Sequence, residues 1–132
     1  MIGIDTNVLV RFLVRDDEAQ FERARLLIER EVGLGEPVFS SQWVLLETGR
    51  VLRSRYVMAK AAIVAAFAAL PAACKLQFEG EPPVVEEAVF IWKDSSAECA
   101  ACLIDVHPRA LGCRAQATFD AKALKLSGFV SA

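Results

Sequence analysis

Three acidic residues stand where carboxylates can do chemistry. Asp5 closes the apolar run Met1-Ile2-Gly3-Ile4, and Asp120 closes Ala117-Thr118-Phe119. Both runs read as strands, and in open α/β sheets ligands bind at the C-terminal ends of the strands. Glu47 lies three residues after Val44 and four before Val51, inside the apolar stripe of an expected helix. A carboxylate on such a face is costly unless it is paired or holds a metal. Converging carboxylates also repel one another, and a divalent cation is the usual remedy. Oxygen ligands without His or Cys suit Mg2+ or Mn2+ rather than Zn2+. Such an ion activates water and stabilises in-line displacement at phosphorus. Taken singly, each acid also fits a plainer role as a helix cap or an ion-pair partner.

The elements that must carry these acids alternate between strand and helix patterns. After the first strand a helix resumes from Val8 to Val14. Asp17 caps a second helix with Gln20 at capping-box spacing, and Phe21, Ala24, Leu27 and Ile28 form its stripe until Gly33 and Gly35 stop it. Pro37-Val38-Phe39 is a second strand, and Ser40 or Ser41 caps a helix running to about Tyr56. A fourth helix is expected from Ala59 to Leu70, ended by Pro71. Its Ile63, Phe67 and Leu70 stripe suits either a core or an interface. Lys75 to Glu79 alternates like a strand, and Pro82-Pro83 opens a helix that buries Val84, Ala88, Ile91 and Trp92. A helix from Ala97 to Leu111, closed by Gly112, precedes a strand from Arg114 to Phe119. Such alternation marks a parallel sheet with helices on both faces.

With 132 residues the chain is expected to form a single domain, and its 55% hydrophobic content excludes disorder. The longest uncharged run, Ala61 to Cys74, is too short for a membrane span of about 20 residues. No basic segment precedes an apolar one at the N-terminus, so the expected location is the cytoplasm. The formal net charge of −2 is no footprint for nucleic acid. The dense basic cluster is local: Arg50, Arg53, Arg55 and Lys60. Of the four cysteines, Cys99 and Cys102 form a C-x-x-C pair, while Cys74 and Cys113 are isolated and His107 is the sole histidine. That set falls short of a four-ligand zinc site, and the pair reads as small apolar residues in a helix.

Longer motifs add a resemblance. Ile2-Gly3-Ile4-Asp5-Thr6-Asn7-Val8-Leu9-Val10-Arg11 resembles the opening of the PIN-domain ribonucleases, specifically the VapC toxins of toxin–antitoxin pairs. Phe39-Ser40-Ser41 through Leu45-Leu46-Glu47 to Val51-Leu52-Arg53-Ser54-Arg55-Tyr56 is similar to their second signature. Leu111-Gly112-Cys113 followed by Thr118-Phe119-Asp120 is similar to their last. The resemblance implies a three-layer α/β/α fold with a central parallel sheet of four or five strands. It implies an RNA substrate, an antitoxin partner, a homodimer, and Mg2+ or Mn2+ as cofactor. It further implies Asp5 as a metal ligand, Glu47 as a second acid shaping the site, and Asp120 as the last acid of a quartet. Thr6, Asn7, Ser41 and Thr118 become groups that orient these carboxylates.

The third acid departs from the family pattern, which usually reads Asp-Phe-Ala-Asp-Ala/Cys-Leu-Ile. This chain reads Glu98-Cys99-Ala100-Ala101-Cys102-Leu103-Ile104, with Ala101 in the place of the second Asp. Glu98 matches the first Asp and is the expected replacement ligand. Asp105, seven residues on and nominally on the same helix face, is the alternative acid for the metal, but it is expected to face solvent. Pro108 should kink or break this helix, with His107 beside the kink. Two functions follow. One is a metal-dependent endoribonuclease using Asp5, Glu47, Glu98 and Asp120, with Arg11, Arg50 and Arg53 holding the RNA backbone. The other is a PIN fold, disarmed at Ala101, that binds its antitoxin and RNA without cutting. A phosphoacceptor receiver is disfavoured, because the required acidic pair and mid-chain acceptor are not in order.

Overall fold

Ile2–Gly3 (β1) pairs in parallel with Val38–Ser40 (β2), Ile2 opposite Val38, and β2 pairs in parallel with Leu76–Phe78 (β3), Val38 opposite Leu76. This computed structural model describes residues 1–79 and 84–132, with the side chains of residues 73 and 74 outside that description. The chain divides into two compact units, Met1–Glu79 and Gly80–Ala132. Parallel neighbours cannot be joined by a hairpin, so helices must fill each crossover. Thr6–Leu13 (α1) and Glu18–Gly33 (α2) connect β1 to β2, and Gln42–Ser54 (α3) and Lys60–Cys74 (α4) connect β2 to β3.

The core of the first unit follows the apolar patterning. Leu9, Val38, Leu45, Leu52, Ile63, Phe67, Leu70 and Leu76 are fully or almost fully buried. The Ile63, Phe67 and Leu70 stripe is therefore core and offers no interface. Gly49 sits inside α3, where glycine costs about 1 kcal/mol relative to alanine. A Cβ there would lie 3.7 Å from the Phe67 ring, an ordinary van der Waals contact, so alanine would also fit against α4. Phe12 on α1 stacks on Phe21 of α2 at 6.1 Å between ring centres, and the Arg15 guanidinium covers Phe21 at 4.2 Å.

Pro71 does not end α4, contrary to the sequence expectation. The helix runs on to Cys74 and stops at Lys75, which takes the left-handed conformation at φ 51°. A proline in the last turn forfeits only one hydrogen bond, whereas a mid-helix proline also bends the chain across its packing face.

In the second unit Val84–Lys93 (α5) and Cys99–Ala110 (α6) pack along one another. Val84, Val85, Ala88, Val89 and Trp92 are buried on α5, with Cys102, Leu103 and Val106 on α6. Ile91 is only half-buried, and the Pro82-Pro83 opening falls outside the described residues. Pro108 leaves α6 unbroken, because it too lies in the last turn. Its carbonyl accepts from the Cys113 N–H at 2.9 Å, and Gly112 leaves the helix at φ +99°. Gln116–Thr118 (β4) then pairs in parallel with Phe129–Ser131 (β5), across a connection holding a short 3-10 turn at Ala123–Lys125.

Five parallel strands are thus described, as the α/β expectation requires. They form a three-stranded and a two-stranded sheet rather than one sheet of four or five. Each strand spans only two or three residues, so each ladder rests on a few hydrogen bonds. Among the described residues no helix is long and apolar enough to cross a membrane.

Candidate active site

Asp5 occupies the tip of the first strand because the ladder ends just before it. The Ile4 N–H donates to the Phe39 carbonyl at 3.0 Å, and Asp5 then turns out of the sheet to cap α1. One carboxylate oxygen accepts the Val8 N–H at 3.0 Å. The cap fixes the carboxylate in an exposed position. Ser41 does the same for α3, its Oγ accepting the Val44 N–H at 3.2 Å. Thr6, Asn7, Arg11, Glu47, Arg50 and Tyr56 border a cleft of about 320 Å3 in this unit.

Glu47 and Arg50 close upon one another in that cleft. Arg50 Nη2 donates to Glu47 Oε1 at 2.7 Å and Nε to Oε2 at 3.1 Å, a two-pronged ion pair on one turn of α3. Hydrogen bonding from Arg50 holds the Glu47 carboxyl below the usual carboxylate range and lifts the Arg50 pKa in turn. The sequence demanded a partner for Glu47, and an arginine already fills that role. Arg53 is exposed on the same helix.

Arg11 is equally engaged. Its Nε donates to Gln20 Oε1 at 2.6 Å, and Nη1 donates to Asp16 Oδ1 at 2.9 Å and to the Tyr56 hydroxyl at 3.1 Å. Tyr56 donates onward to Asp16 Oδ2 at 2.9 Å. The Tyr56 hydroxyl, then the Arg11 guanidinium, pull the Asp16 carboxyl below its ordinary range. Sequence reasoning overlooked Asp16, Gln20 and Tyr56 as a group. Tyr56 is 45 residues from Arg11, and only the tertiary fold joins them. Glu79 was also overlooked. It follows β3 as Asp5 follows β1, and its Oε2 accepts the Gln42 N–H at the head of α3, 3.0 Å away.

In the second unit Glu98 is exposed at the N-cap of α6, with no side-chain capping bond. Ala101 is half-buried in the first turn. The Asp120 N–H donates to Thr118 Oγ1 at 3.0 Å, while Asp120 Oδ1 accepts the Lys122 N–H at 3.0 Å. These bonds set Asp120, itself exposed, on a defined turn. Cys99 and Cys102 are buried, and burial pushes the Cys99 thiol up to about 12, so it stays protonated at neutral pH.

Asp105 overturns the solvent-facing expectation, for it is 1% exposed. Arg109 Nη2 donates to its Oδ2 at 3.1 Å, and Arg109 Nε donates to its backbone carbonyl at 3.0 Å. Gly128 packs so closely that a Cβ there would fall 1.5 Å from Oδ1. The seven-residue spacing misled because Glu98 is the cap of α6, outside the helical rotation that carries Asp105 inward.

The acids offer hard oxygen donors of the kind Mg2+ or Mn2+ takes. Both Glu47 oxygens bond to Arg50, position 101 carries a methyl group, and among the described residues no three His, Cys, Asp or Glu side chains are grouped to hold a metal ion. The sequence profile described as PIN domain matches residues 2–126. No curated protein matches the chain.

Proposed function

The chain belongs to the PIN domain family, and from that membership we propose that it is an endoribonuclease, dependent on Mg2+ or Mn2+, that serves as the VapC-type toxin of a toxin–antitoxin pair. PIN domains are generally metal-dependent nucleases, and the match spans residues 2–126. In this reading residues 1–132 act as a single PIN domain in the cytoplasm. Asp5, Glu98 and Asp120 are the ion's ligands, and Glu47 shapes their field. Thr6, Asn7, Ser41 and Thr118 orient the carboxylates, while Arg11, Arg50 and Arg53 hold the RNA backbone. The partners are a cognate antitoxin and a second copy of the chain. The observation that carries the reading is Asp5, an exposed carboxylate held by a helix cap at the C-terminal end of a parallel strand.

A second reading is favoured by Ala101 and by the Glu47–Arg50 pair. It is a PIN fold that binds antitoxin and RNA without cleavage. RNA cleavage by the purified chain in Mn2+ or Mg2+ separates the two. Cleavage abolished by EDTA and by Asp5→Ala upholds the enzyme, and RNA left intact at all ion concentrations upholds the binding protein.

A further inference from the structure

Phe119 stands between two residues of the candidate site, yet its ring touches almost nothing. It is 92% exposed, more than any other large apolar side chain among the described residues. Its backbone is nevertheless well fixed. Thr118 belongs to the β4–β5 ladder, and the Asp120 N–H returns to the Thr118 hydroxyl. The Asp120 carbonyl accepts from the Leu124 N–H at 3.1 Å, which ties the far side of the turn to the 3-10 segment. A rigid aromatic ring on a pinned turn loses little conformational freedom when a flat partner covers it.

The neighbourhood selects the partner. Arg114, Lys122 and Lys125 are exposed cations within six residues of the ring on either side, and Asp120 adjoins it. The core of a protein interface is depleted of charge. A single-stranded nucleic acid instead combines π-faces with a phosphate chain, which matches an exposed aromatic ring with exposed cations close to it along the chain. We infer that Phe119 is a stacking platform for an unpaired nucleobase of single-stranded RNA, with Arg114, Lys122 and Lys125 facing the adjoining phosphates. The inference rests on the ribonuclease reading and deepens it. The ring would hold a base beside Asp120, so the strand would register on the acids by its bases as well as its backbone.

Anisotropy of a short fluorescein-labelled oligoadenylate, with Ca2+ and with EDTA to keep it intact, tests the inference. Stacking against an aromatic ring contributes enough that Phe119→Ala should weaken binding roughly 10-fold. Phe119→Trp should retain or tighten it. Phe90→Ala, which removes an aromatic ring 72% exposed on α5, should leave it unchanged. A duplex of the same length should bind the parent chain and Phe119→Ala equally. Circular dichroism confirms that each variant is folded. Equal affinities of the parent chain and Phe119→Ala for the single strand would overturn the stacking role and leave the ribonuclease reading standing. A loss of the same size on the duplex would overturn it too. A parent chain that binds no single strand in either condition would sink the stacking role and the RNA-directed reading together.

Discussion

The two units treat their charged side chains in opposite ways. In residues 1–79 the acids lie at the surface and are tied by helix caps and solvent-facing ion pairs. Asp5 accepts from Val8, Glu47 is gripped by Arg50, and Asp16 is shared between Arg11 and Tyr56. In residues 84–132 the exposed acids Glu98 and Asp120 have no ion-pair partner among the described residues, and the one ion pair described there buries its acid, Asp105. Surface pairs gain little because water screens them, whereas a buried carboxylate is tolerated only while its partner stays. The first unit can therefore lose an ion pair with little effect, and the second is brittle at Asp105. In the proposed reading the family pattern is complete in the first unit and lacks an acid in the second, at Ala101.

The largest effect is expected from restoring that acid. Ala101 is the third residue of α6, where a carboxylate is favoured by the helix dipole, so Ala101→Asp should fold without penalty. If the acids act as a set around a divalent ion, this change should raise Mn2+-dependent RNA cleavage by roughly 100-fold or more. Asp5→Ala in the same background should abolish the gain. An Ala101→Asp chain no more active than its parent would show that the missing acid is not what separates the two units.

Next in size are changes at the buried pair. Gly128→Ala would drive a methyl group into Asp105 Oδ1, and either the buried carboxylate or the backbone leading into β5 would have to move. Overpacking of this kind costs about 1–3 kcal/mol, read as a lower urea midpoint. Arg109→Ala strands a buried carboxylate. Because Arg109 is itself 34% exposed at its side chain, the loss should be about 2–3 kcal/mol rather than the larger figure for a fully buried pair. Combining Gly128→Ala with Asp105→Ala should recover part of the first loss, because the oxygen that clashes is gone. Strictly additive losses would mean that Gly128 and Asp105 do not press on one another.

Where local pattern decides structure, the sequence was legible. The Asp17 cap, a serine cap on α3 at Ser40 or Ser41, the strand at Val38, and the burial of Ala88 and Trp92 all follow from residue type and period. The failures share a cause, because each depended on what a residue meets elsewhere in the fold. By residue type Pro71 and Pro108 read as helix breakers, but each falls in a last turn. Asp105 reads as a surface acid until Arg109 and Gly128 enclose it. Glu47 was recognised as needing a partner, yet the choice between a metal and Arg50 depends on rotamers that spacing does not specify. Asp5 was the most legible site residue, since a strand tip and a helix cap are both local.

The smallest effect probes the surface networks of the first unit, where pH resolves what stability does not. The Tyr56 hydroxyl, donating at 2.9 Å, is the foremost reason that the Asp16 carboxyl titrates below its ordinary range, and Arg11 adds to it. A carboxyl depressed by folding contributes stability above its unfolded pKa and loses it as pH falls through the folded value. Tyr56→Phe should therefore move the Asp16 titration upward in a carbon-detected NMR series, so that the network loosens at a higher pH than in the parent. Arg50→Ala should do the same for Glu47, whose depression comes first from the Arg50 hydrogen bond. Because both sites are open to solvent, added salt should shrink the charge-borne part of each shift. Tyr56→Phe removes a neutral donor, so its effect should survive salt better than that of Arg50→Ala. If salt erased both shifts equally, the Tyr56 hydrogen bond would not be the leading cause at Asp16.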